Sequence, residues 1–421
     1  MRKENDSSKY FSQTVWIAVS LILYLFYYSY RYIFRYNDVN TSPTYLATPF
    51  FFQLLKFVLL AIIIFCMLLS ILHKKMYPQK PYLFLAIVIF IVQEIYAFLL
   101  CGATKNITAL MCFLPAFFVL LDSQKIRINW LDTIFLIFLY FTILYELIQI
   151  VLFVAIGRLP ALGYPDGGIT NVRFGGPWDD PNGFSIMLSF LIPYAYCKFR
   201  KFKRWIIVIT LCVFLVLTWS MTGIACFVGV CLLCLGYKAV HWNGYNAKSL
   251  MVILSVILLT IACIGVLYYA NLDKINEFLS DKSGSFQGHL DSWNISGISL
   301  ATILGLLPVG NHSETCVVAL LYSGGILHVV IFYLIGGASV LYFIKLIRYT
   351  KKNTKEYSLY IGMICYQIAF MIASFNLPVV YLFSNIGIFC IFLIIAAKGC
   401  ISLSGDYQHL GTTTVQICRG N

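Results

Sequence analysis

The sequence predicts an all-α polytopic membrane protein with about 12 transmembrane helices, and three observations carry that prediction. Of its 421 residues, 60% are hydrophobic and only 11% charged, whereas a soluble domain carries about 25% charged residues. The mean hydropathy is +0.84. Apolar runs long enough to cross a bilayer recur from end to end, and the strand-sized alternation of a membrane barrel is absent. A water-soluble globule, a disordered chain and a peripheral protein with a single anchor are excluded. The whole of 1–421 reads as one integral membrane domain.

Reading apolar runs against polar breaks places the spans at 14–34, 50–72, 82–101, 108–121, 130–157, 183–199, 206–220, 223–238, 251–270, 315–344, 359–375 and 378–397. With the N-terminus in the cytoplasm, 22 of the 30 Lys and Arg fall in cytoplasmic turns and tails. The other eight are Arg31, Arg35, Lys56, Lys105, Arg158, Arg173, Lys274 and Lys282. That is the positive-inside bias, read in the short loops where it is strongest. Both termini are expected inside, and the formal charge of +13 reports orientation rather than a nucleic-acid partner. The first run is too long for a cleavable signal and lacks a small-residue cleavage site. The fourteen cysteines avoid the two long loops, so no disulfide framework is indicated. The Cys231 and Cys234 pair reads as packing thiols on an apolar helix.

Only two outward segments exceed turn length, 158–182 and 271–314, and the topology puts them on the same side of the membrane. Long loops in a compact protein are usually functional. The first is dense in glycine and proline, and carries Arg158, Arg173 and Trp178 ahead of Asp179, Asp180, Pro181 and Asn182. The carboxylates and Asn182 either cap the following span or serve a site. Arg173 either snorkels or faces a ligand. In the second loop, Leu290, Trp293, Leu300 and Leu304 follow helical spacing, which predicts a helix lying at the interface. His289 and His312 flank it as surface residues or as catalysts, and Glu314 stands where the chain re-enters an apolar run. Lys56, Glu94 and Glu146 lie deeper in predicted spans. They either form ion pairs that hold helices together or meet a substrate.

These residues carry a resemblance. The segment RFGGPWDDPNGFS at Arg173–Ser185 is similar to the R-x-x-G-x-x-x-(N/D)-P-N-x-x-(A/S) segment of the O-antigen polymerase and O-antigen ligase families, matching at Arg173, Gly176, Asp180, Pro181, Asn182 and Ser185. GHLDSW at Gly288–Trp293 resembles the Gly-His/Arg-x-x-x-Trp box of the polymerases. Glu314-Thr315, then nine intervening residues, then Gly325, is similar to their second signature, with His328 replacing its last glycine. Thr218-Trp219-Ser220-Met221-Thr222-Gly223 resembles the ligase Thr-x-Ser-Arg-Gly segment without its arginine.

The resemblance implies a GT-C-like helical fold in the bacterial inner membrane, with its active site facing the periplasm and no nucleotide sugar. It implies action on undecaprenyl-diphosphate-linked glycans and a chain-length regulator as a membrane partner. Breaking an anomeric carbon–diphosphate bond develops negative charge that cations must meet. Arg173 is therefore expected to clamp the diphosphate, with Arg158 or His289 as a second contact. Glu314, with His312 as neighbour, or His289, is the expected base. Asp179, Asp180 and Asn182 are expected to orient Arg173 or bind sugar hydroxyls, and Trp178 and Trp293 to offer sugar-stacking faces. No metal or other cofactor is expected. The missing arginine and the Gly-His box favour a polymerase. A ligase using lipid A–core as acceptor and a non-enzymatic flippase of the same lipid-linked repeat are the alternatives.

Overall fold

The computed structural model describes residues 4–30, 50–72, 78, 80–102, 104–121, 126–156, 164–165, 172–178, 180–218, 220–241, 293, 298–309 and 315–401. The described chain is built of helices. These are α1 (Glu4–Phe26, continued by a 3-10 turn at Tyr27–Tyr30), α2 (Phe50–Leu72), α3 (Pro81–Cys101), α4 (Thr104–Leu120), α5 (Ile128–Ile156) and α6 (Pro181–Lys198). They are followed by α7 (Lys201–Leu217), α8 (Met221–His241), the one-turn α9 (Leu300–Ile303), α10 (Cys316–Tyr349), α11 (Lys355–Ala373) and α12 (Phe383–Lys398). Among the described residues, five helices are long and apolar enough to cross a membrane, and Thr14–Ser29, Lys105–Leu120, Met221–Leu232 and Phe383–Lys398 are shorter apolar stretches. The expected span at 251–270 lies outside the described residues.

Helix α12 is the centre of the bundle. Every residue from Phe383 to Ala396 is buried, because α1, α4, α10 and α11 surround it. The neighbouring faces interdigitate through aromatic rings: Phe389 stacks on Phe370 at 4.5 Å, and Phe392 meets Phe190 and Tyr366 at 5.3 and 5.1 Å. The opposite faces of the outer helices expose large apolar side chains, for example Val92 and Leu99 on α3 and Ile137 and Leu144 on α5. An apolar surface of this extent is what helices facing a bilayer present.

The two ends of the bundle differ. At one end Lys198 at the foot of α6 bonds Asp132 at the start of α5 (2.6 Å), and Tyr194 donates to the same carboxylate (3.0 Å). Arg127 N–H donates to Thr14, and the two-residue strands β1 (Ile126–Arg127) and β4 (Cys400–Ile401) pair in parallel. This end carries Arg200, Lys201, Lys203 and Arg204. At the other end strands β2 (Tyr164–Pro165) and β3 (Val172–Arg173) pair antiparallel, and the chain passes into α6.

Two expectations change here. The run 315–344 is not one regular helix, since α10 breaks at Gly324 (φ −152°, ψ 17°) and Gly325 (φ 72°, ψ −170°). The second of these conformations is open essentially to glycine alone. The helical repeat read across 290–307 is also interrupted. Ser299 is extended and its hydroxyl accepts from Thr302 N–H, so it caps a new, short α9. The tail after α9 is held in place by Tyr96 donating to Leu306 O (2.9 Å) and by Val309 N–H donating to Tyr322 O (2.9 Å).

Candidate functional site

Polar side chains gather at the end where the first long loop returns. Asp180 caps α6: its two carboxylate oxygens accept from the Asn182 and Gly183 amides, both at 3.1 Å. Pro181 follows at the first helical position, where a missing N–H costs nothing. Beside the cap, Ser220 donates to Asn182 Oδ1 (2.8 Å) and accepts from Gly223 N–H (3.0 Å), while Ser185 lies 3.3 Å from Ser220 Oγ. The approach is close because Gly223 has no side chain. A Cβ there would overlap Ser185 Oγ and Cβ. Asn385, at the head of the central helix, donates to Gly183 O (3.3 Å) and fixes the same corner from below.

Arg173 sits in β3 opposite Tyr164, and the next residue ties the strand to the bundle through Phe174 N–H donating to Leu217 O (3.1 Å). The chain then turns at Gly176, whose φ of 58° and contact with the Phe184 ring leave no room for a side chain. Phe174, Gly175, Gly176, Pro177 and Trp178 are all buried. This part of the loop therefore folds into the bundle rather than over it.

Glu146 lies beneath that turn. The Gly176 amide approaches its carboxylate, yet neither oxygen completes a hydrogen bond. Its helix α5 runs ten residues further, about 15 Å, whereas α6 starts only five residues after Gly176. Glu146 is thus level with the head of α6, not with the bundle's middle. Thr142 and Gln149 share its face at helical spacing. All three are fully buried, with five polar atoms unpartnered. Left dry, those atoms would cost on the order of 5–15 kcal/mol, comparable to the whole stability of a domain.

A second cluster lies at the break in α10. Asn106 donates to Glu94 Oε2 (2.6 Å), and His328 Nε2 faces Glu94 Oε1 at 3.4 Å. His328 Nδ1 lies 3.1 Å from Ser323 Oγ, which donates to Leu320 O and lies 3.3 Å from the Tyr381 hydroxyl. With Ser323 accepting from Nδ1–H, Nε2 and Oε1 need one proton between them. Tyr381 closes the cluster from the turn between α11 and α12. Gly305 and Gly325 meet backbone to backbone, the Cβ missing from Gly325 having no space beside Ile303 O (2.6 Å). The tail of the second long loop is therefore seated on this cluster.

The structure treats the expected site residues unequally. Arg158, Asp179, His289, His312 and Glu314 lie outside the described residues, and Arg173 is described as backbone. Asp180 and Asn182 come together, but their oxygens are engaged as a helix cap and as the acceptor for Ser220. Trp178 is 2% exposed, its ring packed into the bundle, and Trp293 is 40% exposed. Neither Glu94 nor Glu146 pairs with Lys56, whose ammonium lies over Phe57 and Phe383 at 4.9 and 5.5 Å. The Ser323, His328, Asn106 and Tyr381 grouping around Glu94 was not expected. Its only sequence signal is the Gly324-Gly325 pair three residues before a histidine in an apolar run.

Among the described residues, no group of three or more His, Cys, Asp or Glu side chains is placed to hold a metal ion. No protein-family model matches the chain, and no curated protein matches it.

Proposed function

We propose that this protein is a membrane glycosyltransferase of the O-antigen polymerase type. In this reading it extends a surface polysaccharide by moving the growing chain from one undecaprenyl-diphosphate carrier to the free end of a single lipid-linked repeat. One observation carries the reading. Two segments that carry the resemblance, Asp180–Ser185 and Ser220–Gly223, are joined across 38 positions of chain in one hydrogen-bonded corner, through Ser220 and Asn182. The strand holding Arg173 is tied to the helix that leads into the second of these segments.

The chemistry fits that corner. Arg173, with Arg158 as a second cation, holds the two phosphates and meets the charge that develops as the anomeric bond breaks. Asp180 and Asn182 act by rigidity: the Asp180 carboxylate takes up the Asn182 and Gly183 amides and, with Ser220 on Asn182, fixes the head of α6. The apolar outer faces of the bundle receive the polyprenyl tails. The full reading has about 12 spans with both termini cytoplasmic and both long loops on the periplasmic face of the inner membrane.

The test uses purified protein in vesicles, supplied with lipid-linked single repeats extracted from source cells in which this gene is deleted. The expected product is a ladder of longer glycans with release of undecaprenyl diphosphate. Transfer to added lipid A–core without a ladder would make the protein a ligase. Movement of repeats across the bilayer without extension would make it a flippase. Either outcome overturns the reading.

A further inference from the structure

We propose that Glu146 is the base that activates the acceptor sugar in this transfer, on a buried polar strip formed with Thr142 and Gln149. The inference rests on the glycosyltransferase reading and adds to it a residue that the motif comparison does not nominate. That comparison points instead to Glu314 and His312, at the other loop.

Three features of the structure single out Glu146. It is a fully buried carboxylate with both oxygens unpartnered. It lies against the Gly176 amide, three residues from Arg173 in the chain, so a base and the expected diphosphate clamp belong to one turn. Thr142 and Gln149 flank it with one hydroxyl, one amide N–H₂ and one carbonyl, none of them engaged. A mixed set of donors and acceptors in a row is what recognition of adjacent sugar hydroxyls requires. Glu94, the other fully buried carboxylate among the described residues, is different: one oxygen is bonded to Asn106 and the other faces His328 Nε2 at 3.4 Å.

In the step itself, the acceptor hydroxyl oxygen forms a bond to the anomeric carbon of the donor chain. The bond from that carbon to the diphosphate oxygen breaks, and its electron pair leaves on the diphosphate held by Arg173. The hydroxyl proton passes to Glu146. Atoms and charge balance with no further reactant. Gln149 and Thr142 hold neighbouring hydroxyls so that the attacking oxygen faces Glu146.

The experiment compares wild type, Glu146→Gln, Glu146→Asp and Glu314→Gln with the same extracted lipid-linked single repeats as probe. Initial rates are measured over a range of probe concentrations. Glu146→Gln is expected to lower kcat by about 100-fold or more with KM within about threefold of wild type. Glu146→Asp, which keeps a carboxylate, is expected to retain measurable extension. A Glu146→Gln enzyme as fast as wild type overturns the inference, as does equal loss in the Gln and Asp variants. So does a Glu314→Gln variant that alone abolishes extension. Should Glu146→Gln fail to give a monodisperse protein, the Asp variant decides: retained extension supports a carboxylate base and complete loss overturns it. A wild-type protein that extends nothing refutes the transferase reading itself, which separates the two failures.

Discussion

Gly223 offers the sharpest test of the corner that joins α6 to α8. Glycine to alanine inside a helix ordinarily stabilises a protein, by up to about 1 kcal/mol. Here the added methyl would overlap both Oγ and Cβ of Ser185, and α8 must move away from α6. Overpacking of this kind costs about 1–3 kcal/mol. The shift also breaks Ser220–Asn182 and Ser185–Ser220, worth about 1 kcal/mol each. Subtracting the propensity gain leaves a net loss of roughly 2–4 kcal/mol for Gly223→Ala. At about 1.1 °C per kcal/mol for a chain of 421 residues, the melting temperature in detergent should fall by roughly 2–5 °C. The same substitution in a Ser185→Gly background removes the overlapped atoms and should cost less than about 0.5 kcal/mol, a coupling well above the scatter of independent sites. Ser185→Ala, which keeps the Cβ, should rescue only in part. Equal destabilisation by Gly223→Ala in the wild-type and Ser185→Gly backgrounds would refute the packing argument.

Other outcomes follow from the same geometry. Lys198→Met leaves the Asp132 carboxylate, 6% exposed on its side chain, with Tyr194 alone. It should cost about 2–3 kcal/mol, less than a fully buried pair because Lys198 itself is 17% exposed; adding Asp132→Asn should recover much of the loss in a denaturation assay. Glu94→Gln keeps an acceptor for Asn106 and should cost less than about 1 kcal/mol, whereas Asn106→Leu strands the carboxylate and should cost about 2–3 kcal/mol. Gly325→Ala meets backbone rather than side chain, so nothing flexible can yield. Proteolysis should show the 300–309 segment released, and unchanged cleavage would refute its docking on α10. Arg173→Ala should abolish chain extension, and Arg173→Lys should restore little, because a point charge does not reproduce a two-pronged guanidinium.

Much of the architecture could be read from hydropathy alone. The run 50–72 coincides with α2, and 82–101 and 130–157 fall within two residues of α3 and α5. Such agreement is expected where a bilayer dictates length and every backbone polar group must bond within its own helix. The short spans were less legible. α7 begins at Lys201, five residues before the apolar run, because Lys and Arg continue a helix well while adding nothing to hydropathy. The break at Gly324-Gly325 was hidden for the opposite reason. Two glycines do not lower an apolar average, and only contact with Gly305 across the fold calls on their freedom. The cap at Asp180 was legible because a cap is local chemistry, with an acidic residue, a proline and an asparagine in order.

Sequence by itself determined that the helices are long and apolar enough for a bilayer and which segment caps α6, since each depends on neighbours within one or two helical turns. Tertiary structure alone decided which polar groups meet. It joined Asn182 to Ser220, turned Trp178 inward, gathered Ser323, His328 and Asn106 around Glu94, and left Glu146 buried without a bond beneath Gly176. The physical reason is that hydropathy is additive along a chain whereas hydrogen bonds are pairwise. A residue's cost of burial is written in its own side chain, but its partner arrives from another helix.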